Sequence, residues 1–388
     1  MITVSEALEA LFALTPTLDP EEVPLLQASG RVLAQDMAAG RDQPPFPASA
    51  MDGYAVAEAV PGQTLDVIGE AAAGHRFDAP VGKGQAVRIF TGAPVPGGAT
   101  RIVIQEDVTR DGDRITIGPS PDEGPYIRPA GNDFKAGAAV TAPRRLGPSD
   151  IALLASMNIA RVPVVRQPRV AIIATGDELV MPGEAPGPDQ IVASNTFGLY
   201  ALMKELGALP RMLPIARDSL ASLQTVLSLT DDADLVLTIG GASVGDHDLV
   251  AQAAGEMGLE RAFYKVAMRP GKPLMSGRLG HAMMIGLPGN PVSAMVCGHV
   301  FVAPVIRAMQ GLPRQPAPRL SAPLAHALPA NGPREHYMRA VISDGTLRVF
   351  DRQDSALLSV LGEANALAVR PVGDGPRAAG DWLDYIRL

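Results

Sequence analysis

The stretch VAIIATGDEL at residues 170–179 decides the fold, because a short apolar run ends there in a glycine-containing turn. The same plan recurs in LVLTIGGASVGDHD at residues 235–248 and in AMMIGLPGNPVS at residues 282–293. An apolar run closed by such a turn and followed by helix-compatible sequence is typical of a parallel α/β sheet. Backbone N–H groups and a helix N-terminus then point outward together, so the turns predict a site for an anionic ligand.

The first two turns also carry four carboxylates, Asp177, Glu178, Asp246 and Asp248. Carboxylate oxygens suit a divalent cation, so the turns favour a phosphorylated substrate that is handled through a metal ion. Simpler interpretations stay open. TGDEL by itself is typical of an ordinary helix start, His247 is typical of a solvent-facing loop, and LPGNPVSA equally describes a turn before a helix capped by Asn290 or Ser293.

Strands and helices alternate around these turns. Helix-like segments at residues 196–206 and 220–229 separate the β runs 170–174, 211–215 and 235–239, which predicts βαβ units and a parallel sheet. Residues 42–143 are rich in glycine and proline with short β-like runs, and a proline-rich linker at 312–318 precedes further β runs. We therefore predict a multidomain α/β and β protein with these parts: a discontinuous helical domain over 1–45 and 136–167, a β-rich insertion over 46–135, the α/β domain over 168–312, and a small β-barrel-like domain over 313–388.

Charge and composition exclude several classes of protein. The net charge of −8 and the pI near 5.3, without a block of basic residues, argue against binding to duplex nucleic acid. The N-terminal sequence has acids where a signal peptide has basic residues, and Thr3 with Glu6 predicts a capping box. The apolar stretch 294–306 is shorter than the roughly 20 residues of a membrane span. We expect a soluble cytoplasmic protein that does not associate with membranes.

Cys297 is the only cysteine, which excludes an intrachain disulfide and cysteine-based metal sites. Its apolar neighbours favour an inert core thiol. The common nucleotide and zinc signatures GxxxxGK[ST], GxGxxG and HExxH are absent. A basic segment at residues 263–277 carries Lys265, Arg269 and Lys272 around a Pro-Gly turn, where these cations can neutralise a tetrahedral anion.

Six motifs, taken in order, resemble those of one family. They are SAMDGYA (49–55), RIFTGAPVPGGA (88–99), TGDEL (175–179), TIGGASVGDHD (238–248), MRPGKPLMSG (268–277) and GLPGNPVSA (286–294). The set is similar to that of the MoeA family of molybdopterin molybdenumtransferases, whose eukaryotic counterpart is the E domain of gephyrin. The resemblance covers essentially the whole chain.

This resemblance implies an elongated four-domain homodimer with active sites shared between the subunits. The implied enzyme works in molybdenum cofactor biosynthesis: it inserts molybdate into adenylylated molybdopterin and releases AMP, with Mg²⁺ as cofactor. The α/β domain would bind molybdopterin. Implied protein partners are the molybdopterin adenylyltransferase and the molybdoenzymes that receive the cofactor.

Position by position, the resemblance implies three groups of site residues. The implied catalytic residues are Asp52, Thr91, Asp133, Glu178, Asp218, Asp248, Lys265, Arg269 and Lys272. Those implied to bind the pterin substrate are Gly240, Gly241, Ser243, Gly245, Pro288, Gly289, Asn290, Ser293 and Ser355. Those implied to bind the metal are Glu178, Asp246 and Asp248. Two positions depart from the usual pattern, since Arg269 replaces a lysine and Asn132 replaces a glutamate.

Two other functions remain open from the sequence. One is a scaffold that binds a pterin or nucleotide without turning it over. The other is a nucleotide pyrophosphatase that resembles the competence/damage-inducible proteins, a resemblance that would stop outside residues 169–307. SAMDGYA and the terminal β runs count against the pyrophosphatase.

Overall fold

The computed structural model describes residues 1–241 and 249–388, and the chain divides into two units. Unit 1 contains Met1–Glu21, Gly30–Ala34 and Val164–Leu388. Unit 2 contains Glu22–Ser29 and Gln35–Pro163.

Within the described residues, the central sheet of unit 1 has six strands. In chain order they are β1 Arg169–Ala174, β2 Leu209–Met212, β3 Leu235–Ile239, β4 Glu260–Tyr264, β5 Met275–Leu279 and β6 Ala282–Leu287. Their order across the sheet is β2-β1-β3-β6-β5-β4. The first four in this order are mutually parallel, and β1, β3 and β6 are the buried apolar strands expected inside such a sheet.

The expectation of a wholly parallel sheet is wrong at one edge. Strand β5 is antiparallel to β6, and β4 is antiparallel to β5. Only Gly280 and His281 separate β5 from β6, and a connection of two residues can join antiparallel neighbours but cannot cross over to a parallel one. Much of the basic segment is thus strand rather than loop.

Helices cover the central sheet where the apolar periodicity predicts them. Those of the described residues between β1 and β6 are Asn195–Glu205, Leu220–Leu227 and Leu249–Glu256, with a 3₁₀ turn at Ser228–Thr230. The helix after β6 runs through three segments, Pro291–Cys297, a π-helical turn at Gly298–Val302, and Ala303–Met309.

The 19-residue helical stretch Pro291–Met309 is long and apolar enough to cross a membrane, yet 83% of its apolar window is buried inside the protein. It shares a hydrophobic cluster with β1, β3 and β6 and with Tyr337 and Leu367 of the C-terminal sheet. Burial on all sides explains its apolar composition, since a core helix needs no polar face.

The C-terminal sheet of unit 1 contains strands from two parts of the chain. The described strands are Met268–Arg269, Leu320–Pro323, Glu335–Ser343, Thr346–Val349, Ala366–Arg370 and Trp382–Arg387, with the helix Leu358–Glu363 beside them. Met268–Arg269 pairs in parallel with Glu335–Ser343, which places Arg269 opposite His336. Two short paired strands, Leu179–Val180 and Ile191–Val192, complete this unit's described ladders near the TGDEL turn.

Unit 2, all of whose residues are described, is built on a β sheet. Across that sheet the strands are Arg101–Ile104, Gly53–Val56, Gln85–Ile89, Thr64–Ala71, Arg114–Ile117 and Val108–Asp111. Two small ladders pair Ala48–Ser49 with Ile127–Arg128 and Met37–Ala38 with Ala139–Val140. The helix of this unit is Pro148–Ser156, and 3₁₀ turns lie at Leu25–Gln27 and Gln105–Asp107. Arg144–Arg145 is a further short strand of this unit; Val32–Leu33 belongs to unit 1, and the strands Pro20–Pro24 and Arg161–Val165 have residues in both units.

The predicted helical N-terminal domain is not confirmed. Its two α-helices, Val4–Leu14 and Pro148–Ser156, fall in different units, and strands make up much of the remainder. The predicted capping box is confirmed at the first helix: Thr3 Oγ1 accepts from the Glu6 N–H at 3.2 Å, and Glu6 Oε2 accepts from the Thr3 N–H at 2.7 Å. The boundaries of the four predicted domains stay predictions.

Candidate functional site

The strand order of the central sheet places a cleft in unit 1. From β1 the chain moves outward to β2 and then returns to the other side of β1 to form β3. Ligands of open α/β sheets bind at the carboxyl ends of the strands where the order reverses in this way. A cavity of about 1120 Å³ lies there, lined by the turns after β1, β3 and β6 and by part of the C-terminal sheet region.

The turn after β1 contributes Glu178. Gly176 has a φ of +146°, and a Cβ atom added to it would lie 2.3 Å from Glu178 Oε2. The Glu178 carboxylate thus lies close to Gly176, whose positive φ favours glycine. Glu178 is exposed and lines the cleft, as the sequence predicts for a metal ligand.

A neighbouring loop holds this turn from the side. The Asp218 N–H donates to Asp177 Oδ1 at 3.2 Å, so Asp177 has a partner within the protein. Asp218 itself lines the cleft beside Glu178. The two adjacent acids, which the sequence could not distinguish, therefore have different surroundings. Asp177 connects two loops, and Glu178 lines the cavity.

Backbone hydrogen bonds connect the carboxyl ends of β1, β3 and β6. The Gly240 N–H donates to the Leu287 carbonyl at 3.1 Å, and the Thr175 N–H donates to the Ile239 carbonyl at 2.9 Å. Gly240 has a φ of +93°, and a Cβ on it would lie 2.7 Å from the Thr175 carbonyl oxygen. Both the left-handed backbone and the close approach require glycine, and Gly240 and Gly241 line the cleft.

The turn after β6 is fixed by side chains from elsewhere in unit 1. Asn195 Nδ2 donates to the Gly289 carbonyl at 2.7 Å, and Asn290 Nδ2 donates to Ser355 Oγ at 3.1 Å. Asn290 therefore does not cap the following helix through its side chain, which was one of the local interpretations. The cleft is lined here by Pro288, Gly289, Asn290, Ser293 and Ser355, all of them predicted substrate-binding residues.

Cationic side chains also line the cleft. Arg269 and Lys272 were predicted, whereas Arg334 was not, because an isolated arginine in a loop carries no local signal. The pKa of His336 is lowered to about 4, first by its burial and then by the charge of Arg269, so its imidazole stays neutral at neutral pH. The cleft therefore holds positive charge as well as the carboxylates of Glu178 and Asp218.

Lys265 is not among the residues that line the cleft. Its Nζ lies 4.8 Å from the centre of the Tyr264 ring, and its backbone has a φ of +74°. A cation over an aromatic face is a stable arrangement by itself. The structure thus separates Lys265 from the predicted pair Arg269 and Lys272.

The remaining described site residues belong to unit 2. Asp52 Oδ1 accepts hydrogen bonds from the Thr91 N–H and the Thr91 hydroxyl, both at 2.8 Å. These bonds, the backbone one first, lower the pKa of Asp52. Asp133 is exposed in the turn at residues 131–134, where its N–H donates to the Gln43 carbonyl at 2.9 Å. Asp52 and Thr91 therefore form one local pair, and Asp133 lies in a separate turn.

Four predicted residues, Ser243, Gly245, Asp246 and Asp248, lie outside the described residues. Within residues 1–241 and 249–388 no three acidic, histidine or cysteine side chains form a metal-binding cluster. Mg²⁺ needs only one or two carboxylates, because water and substrate phosphates supply its other ligands. Glu178 and Asp218, which line one cleft from adjacent loops, fit that requirement.

Family models cover most of the chain. Residues 2–158 match the MoeA N-terminal region (domain I and II), residues 171–308 match a probable molybdopterin binding domain, and residues 321–388 match the MoeA C-terminal region (domain IV).

Named relatives match at full length. Molybdopterin molybdenumtransferase of Nostoc sp. (strain PCC 7120) is 36% identical over 415 residues, which cover 100% of this chain and 94% of the relative. Molybdopterin molybdenumtransferase 2 of Mycobacterium tuberculosis (strain H37Rv) is 37% identical over 94% of both chains. The crystal structure of a molybdopterin biosynthesis MoeA protein from Pyrococcus horikoshii OT3 superposes with a TM-score of 0.86, at 28% identity and 100% coverage of both chains.

Proposed function

The chain belongs to the MoeA family of molybdenum cofactor biosynthesis, and on that premise we propose that it transfers molybdenum to molybdopterin by a Mg²⁺-dependent reaction that releases AMP. The substrates are molybdate and adenylylated molybdopterin. The enzyme class follows from the relatives, which are molybdopterin molybdenumtransferases. The cofactor and the released product are the parts that need an experiment.

One observation carries this proposal: a single cleft is lined by both cations and carboxylates. Arg269, Lys272 and Arg334 supply positive charge, and Glu178 and Asp218 supply hard oxygen ligands. Molybdate and the phosphoanhydride of the second substrate are both anions, which repel one another in water. A site that brings them together needs fixed positive charge, and charge placed in advance also stabilises the negative charge of the transition state.

The described residues take distinct roles in this scheme. Arg269 and Lys272, with Arg334, bind oxyanions, and Arg269 has the planar guanidinium that suits two-point contact with an oxyanion. Glu178 and Asp218 would hold Mg²⁺, with Asp246 and Asp248 proposed to join them. When bound, this ion would neutralise phosphate charge in the substrate. Gly240 and Gly241, at the end of β3, leave the backbone accessible to the pterin substrate.

Protein side chains need not act as nucleophiles here. Cys297 is fully buried, and burial raises the pKa of its thiol well above the usual range, so it stays protonated and inert. The chain's own groups bind, orient and supply charge.

The quaternary structure belongs to the same proposal. We propose a homodimer in which Asp52, Thr91 and Asp133 of one subunit serve the cleft of the other, as the family resemblance implies. The four-domain division, the cytoplasmic location and the protein partners, an adenylyltransferase and molybdoenzymes, are proposed on the same ground. If the sites are shared, an Asp52→Ala subunit and a Glu178→Ala subunit will complement one another in a heterodimer isolated with two affinity tags.

AMP release is the experiment that tests the proposed reaction. Purified protein is incubated with adenylylated molybdopterin, with and without molybdate and Mg²⁺, and AMP is measured by chromatography. We expect AMP only when both additions are present. Equal release in EDTA would contradict the role of the metal ion, and tight binding without AMP release would favour the scaffold. Matches over residues 2–158 and 321–388 already count against the pyrophosphatase, whose resemblance is confined to the central domain.

A further inference from the structure

Arg217 holds the turn that carries Glu178. Its Nη1 atom lies within hydrogen-bond distance of three carbonyl oxygens, those of Gly176 at 3.4 Å, Asp177 at 3.1 Å and Leu179 at 3.2 Å. The three carbonyls therefore converge on one nitrogen. Such convergence is the arrangement by which main-chain oxygens bind a cation, and here a side chain of the protein supplies the charge.

The fourth carbonyl of the turn is held separately. The Glu178 carbonyl accepts from the Ile191 N–H at 2.8 Å. Every carbonyl from Gly176 to Leu179 thus has a donor, and Arg217 provides three of the four contacts. The backbone of Glu178 is fixed on both sides, which leaves the carboxylate to face the cleft.

The loop of Arg217 is itself anchored to the sheet. The Arg217 N–H donates to Ser222 Oγ at 2.9 Å, and Ser219 caps the next helix through the Ser222 N–H. The Ala216 N–H donates to the Ala174 carbonyl at 2.9 Å, which continues the β1 register. The guanidinium of Arg217 therefore connects a loop that is bonded to the sheet with the turn that carries Glu178.

We propose that Arg217 is a positioning residue that sets the Glu178 carboxylate for Mg²⁺, an inference that rests on the proposed function of the cleft. Arg217 does not line the cleft, so it acts through the turn and not on the substrate. Removing its charge leaves three carbonyl oxygens that repel one another, and the turn loosens. Partners that orient a metal ligand typically change metal affinity by about 10- to 100-fold when they are lost.

The test compares Arg217→Ala and Arg217→Lys with a matched control, Arg211→Ala. Arg211 is a half-buried arginine that also donates to a carbonyl, that of Leu229 at 2.6 Å, and it pairs with Asp232, but it does not line the cleft. For each protein we would measure the Mg²⁺ concentration at half-maximal AMP release, the shift in melting temperature caused by Mg²⁺, and amide hydrogen exchange over residues 176–180.

The expected results separate a positioning role from a structural one. Arg217→Ala requires at least about 10-fold more Mg²⁺ for half-maximal AMP release. Mg²⁺ raises its melting temperature by less than that of the unaltered protein, and the amides of the turn exchange faster. Millimolar guanidinium, which can enter the vacated position, restores part of the Mg²⁺ response, whereas urea does not. Arg217→Lys retains a cation and is affected less, and Arg211→Ala behaves as the unaltered protein.

Three outcomes would overturn the inference. In the first, Arg217→Ala keeps its Mg²⁺ dependence and its exchange rates. In the second, Arg217→Ala and Arg217→Lys both lose stability far beyond the control, which makes Arg217 a structural residue. In the third, guanidinium and urea act alike. If the unaltered protein releases no AMP, the proposed function fails, but the Mg²⁺-induced melting shift and the exchange rates still test Arg217.

Discussion

Glu178 and Asp52 are two carboxylates with predicted catalytic roles and opposite surroundings. Asp52 accepts two hydrogen bonds from Thr91, so the protein itself satisfies and orients its charge. Within the described part of the chain, the Glu178 carboxylate accepts no hydrogen bond, although its backbone is held on both sides. A fixed backbone with an open carboxylate is suited to an external cation. The comparison supports the proposed cation-binding role of Glu178, and it shows that the charge of Asp52 already has partners within the protein.

The largest effect is expected where the carboxylate is open. Glu178→Gln keeps the side-chain volume but removes the charge, so AMP release should fall by about 100-fold or more, as for other preorganised electrostatic groups. The melting temperature should stay within a degree or two, because the side chain is exposed and has no protein partner among the described residues. Normal turnover together with a much lower melting temperature would reverse the comparison.

The backbones of the two regions also differ in how closely they are packed. Replacing a glycine in each region by alanine measures this difference as a loss of stability. Gly240, at the cleft, and Gly92, beside Thr91, both have positive φ values, of +93° and +82°. A Cβ at Gly240 would lie 2.7 Å from a backbone oxygen, but nothing lies within 4 Å of one at Gly92. We expect Gly92→Ala to cost about 1 kcal/mol of stability and Gly240→Ala about 3 kcal/mol, measured by urea unfolding. Equal losses would show that the cleft backbone can yield.

The buried imidazole of His336, near the arginines of the cleft, makes the stability of the protein depend on pH. The His336 pKa is about 4 in the folded protein, lowered by burial and by Arg269, Arg339, Arg370 and Arg334, against 6.5 for an ordinary histidine. On lowering the pH, His336 takes up a proton in the unfolded chain before it does so in the folded protein. Its contribution to the free energy of unfolding is therefore fully present above pH 6.5 and is lost as the pH falls towards 4. Between pH 7 and pH 5 the loss should be about 2 kcal/mol.

His336→Asn should flatten this part of the urea-unfolding profile. His299 continues to contribute, because its burial also lowers its pKa to about 4. An unchanged profile in His336→Asn would show that the pKa of this imidazole is not lowered in the folded protein.

The smallest effect is expected at the Asp52 pair. Thr91→Val removes the hydroxyl donor but keeps the backbone donor, so the pKa of Asp52 should rise part of the way to its ordinary value. Turnover should change by less than about tenfold, because Asp52 loses only one of its two hydrogen bonds. Carbon-detected NMR titration of the carboxyl group measures the pKa directly. A change in turnover as large as that of Glu178→Gln would place Asp52 in the same class as Glu178.

Local signals in the sequence predicted local structure well. Strand Leu235–Ile239 lies at the predicted residues, and the Thr3–Glu6 capping box forms as expected, because each depends on neighbours only a few residues away. The edge hairpin of β5 and β6 escaped prediction, since Gly-His between apolar runs was not recognised as a two-residue turn. The π-helical turn at Gly298–Val302 also has no signal in the apolar periodicity.

The candidate site was predictable where one turn contains both the signal and the residue. Glu178, Gly240 and Asn290 line the cleft as the glycine turns predict. Arg334 and Arg217 were missed, because their roles depend on strand pairing and on contacts about 40 residues apart in the chain. Physical reasoning from one sequence identifies turns but not the distant side chains that hold them.

The buried helix Pro291–Met309 also governs how the protein is made. Most of its cover comes from strands that precede it, but Tyr337 and Leu367 lie further along the chain and are synthesised after it. At typical synthesis rates, the residues from 310 to 388 take roughly 4–16 s to add. During that interval the side of the helix that packs on the C-terminal sheet lacks its cover. Chaperones that bind hydrophobic segments should therefore engage this protein late in its synthesis and release it when the C-terminal sheet closes over the helix.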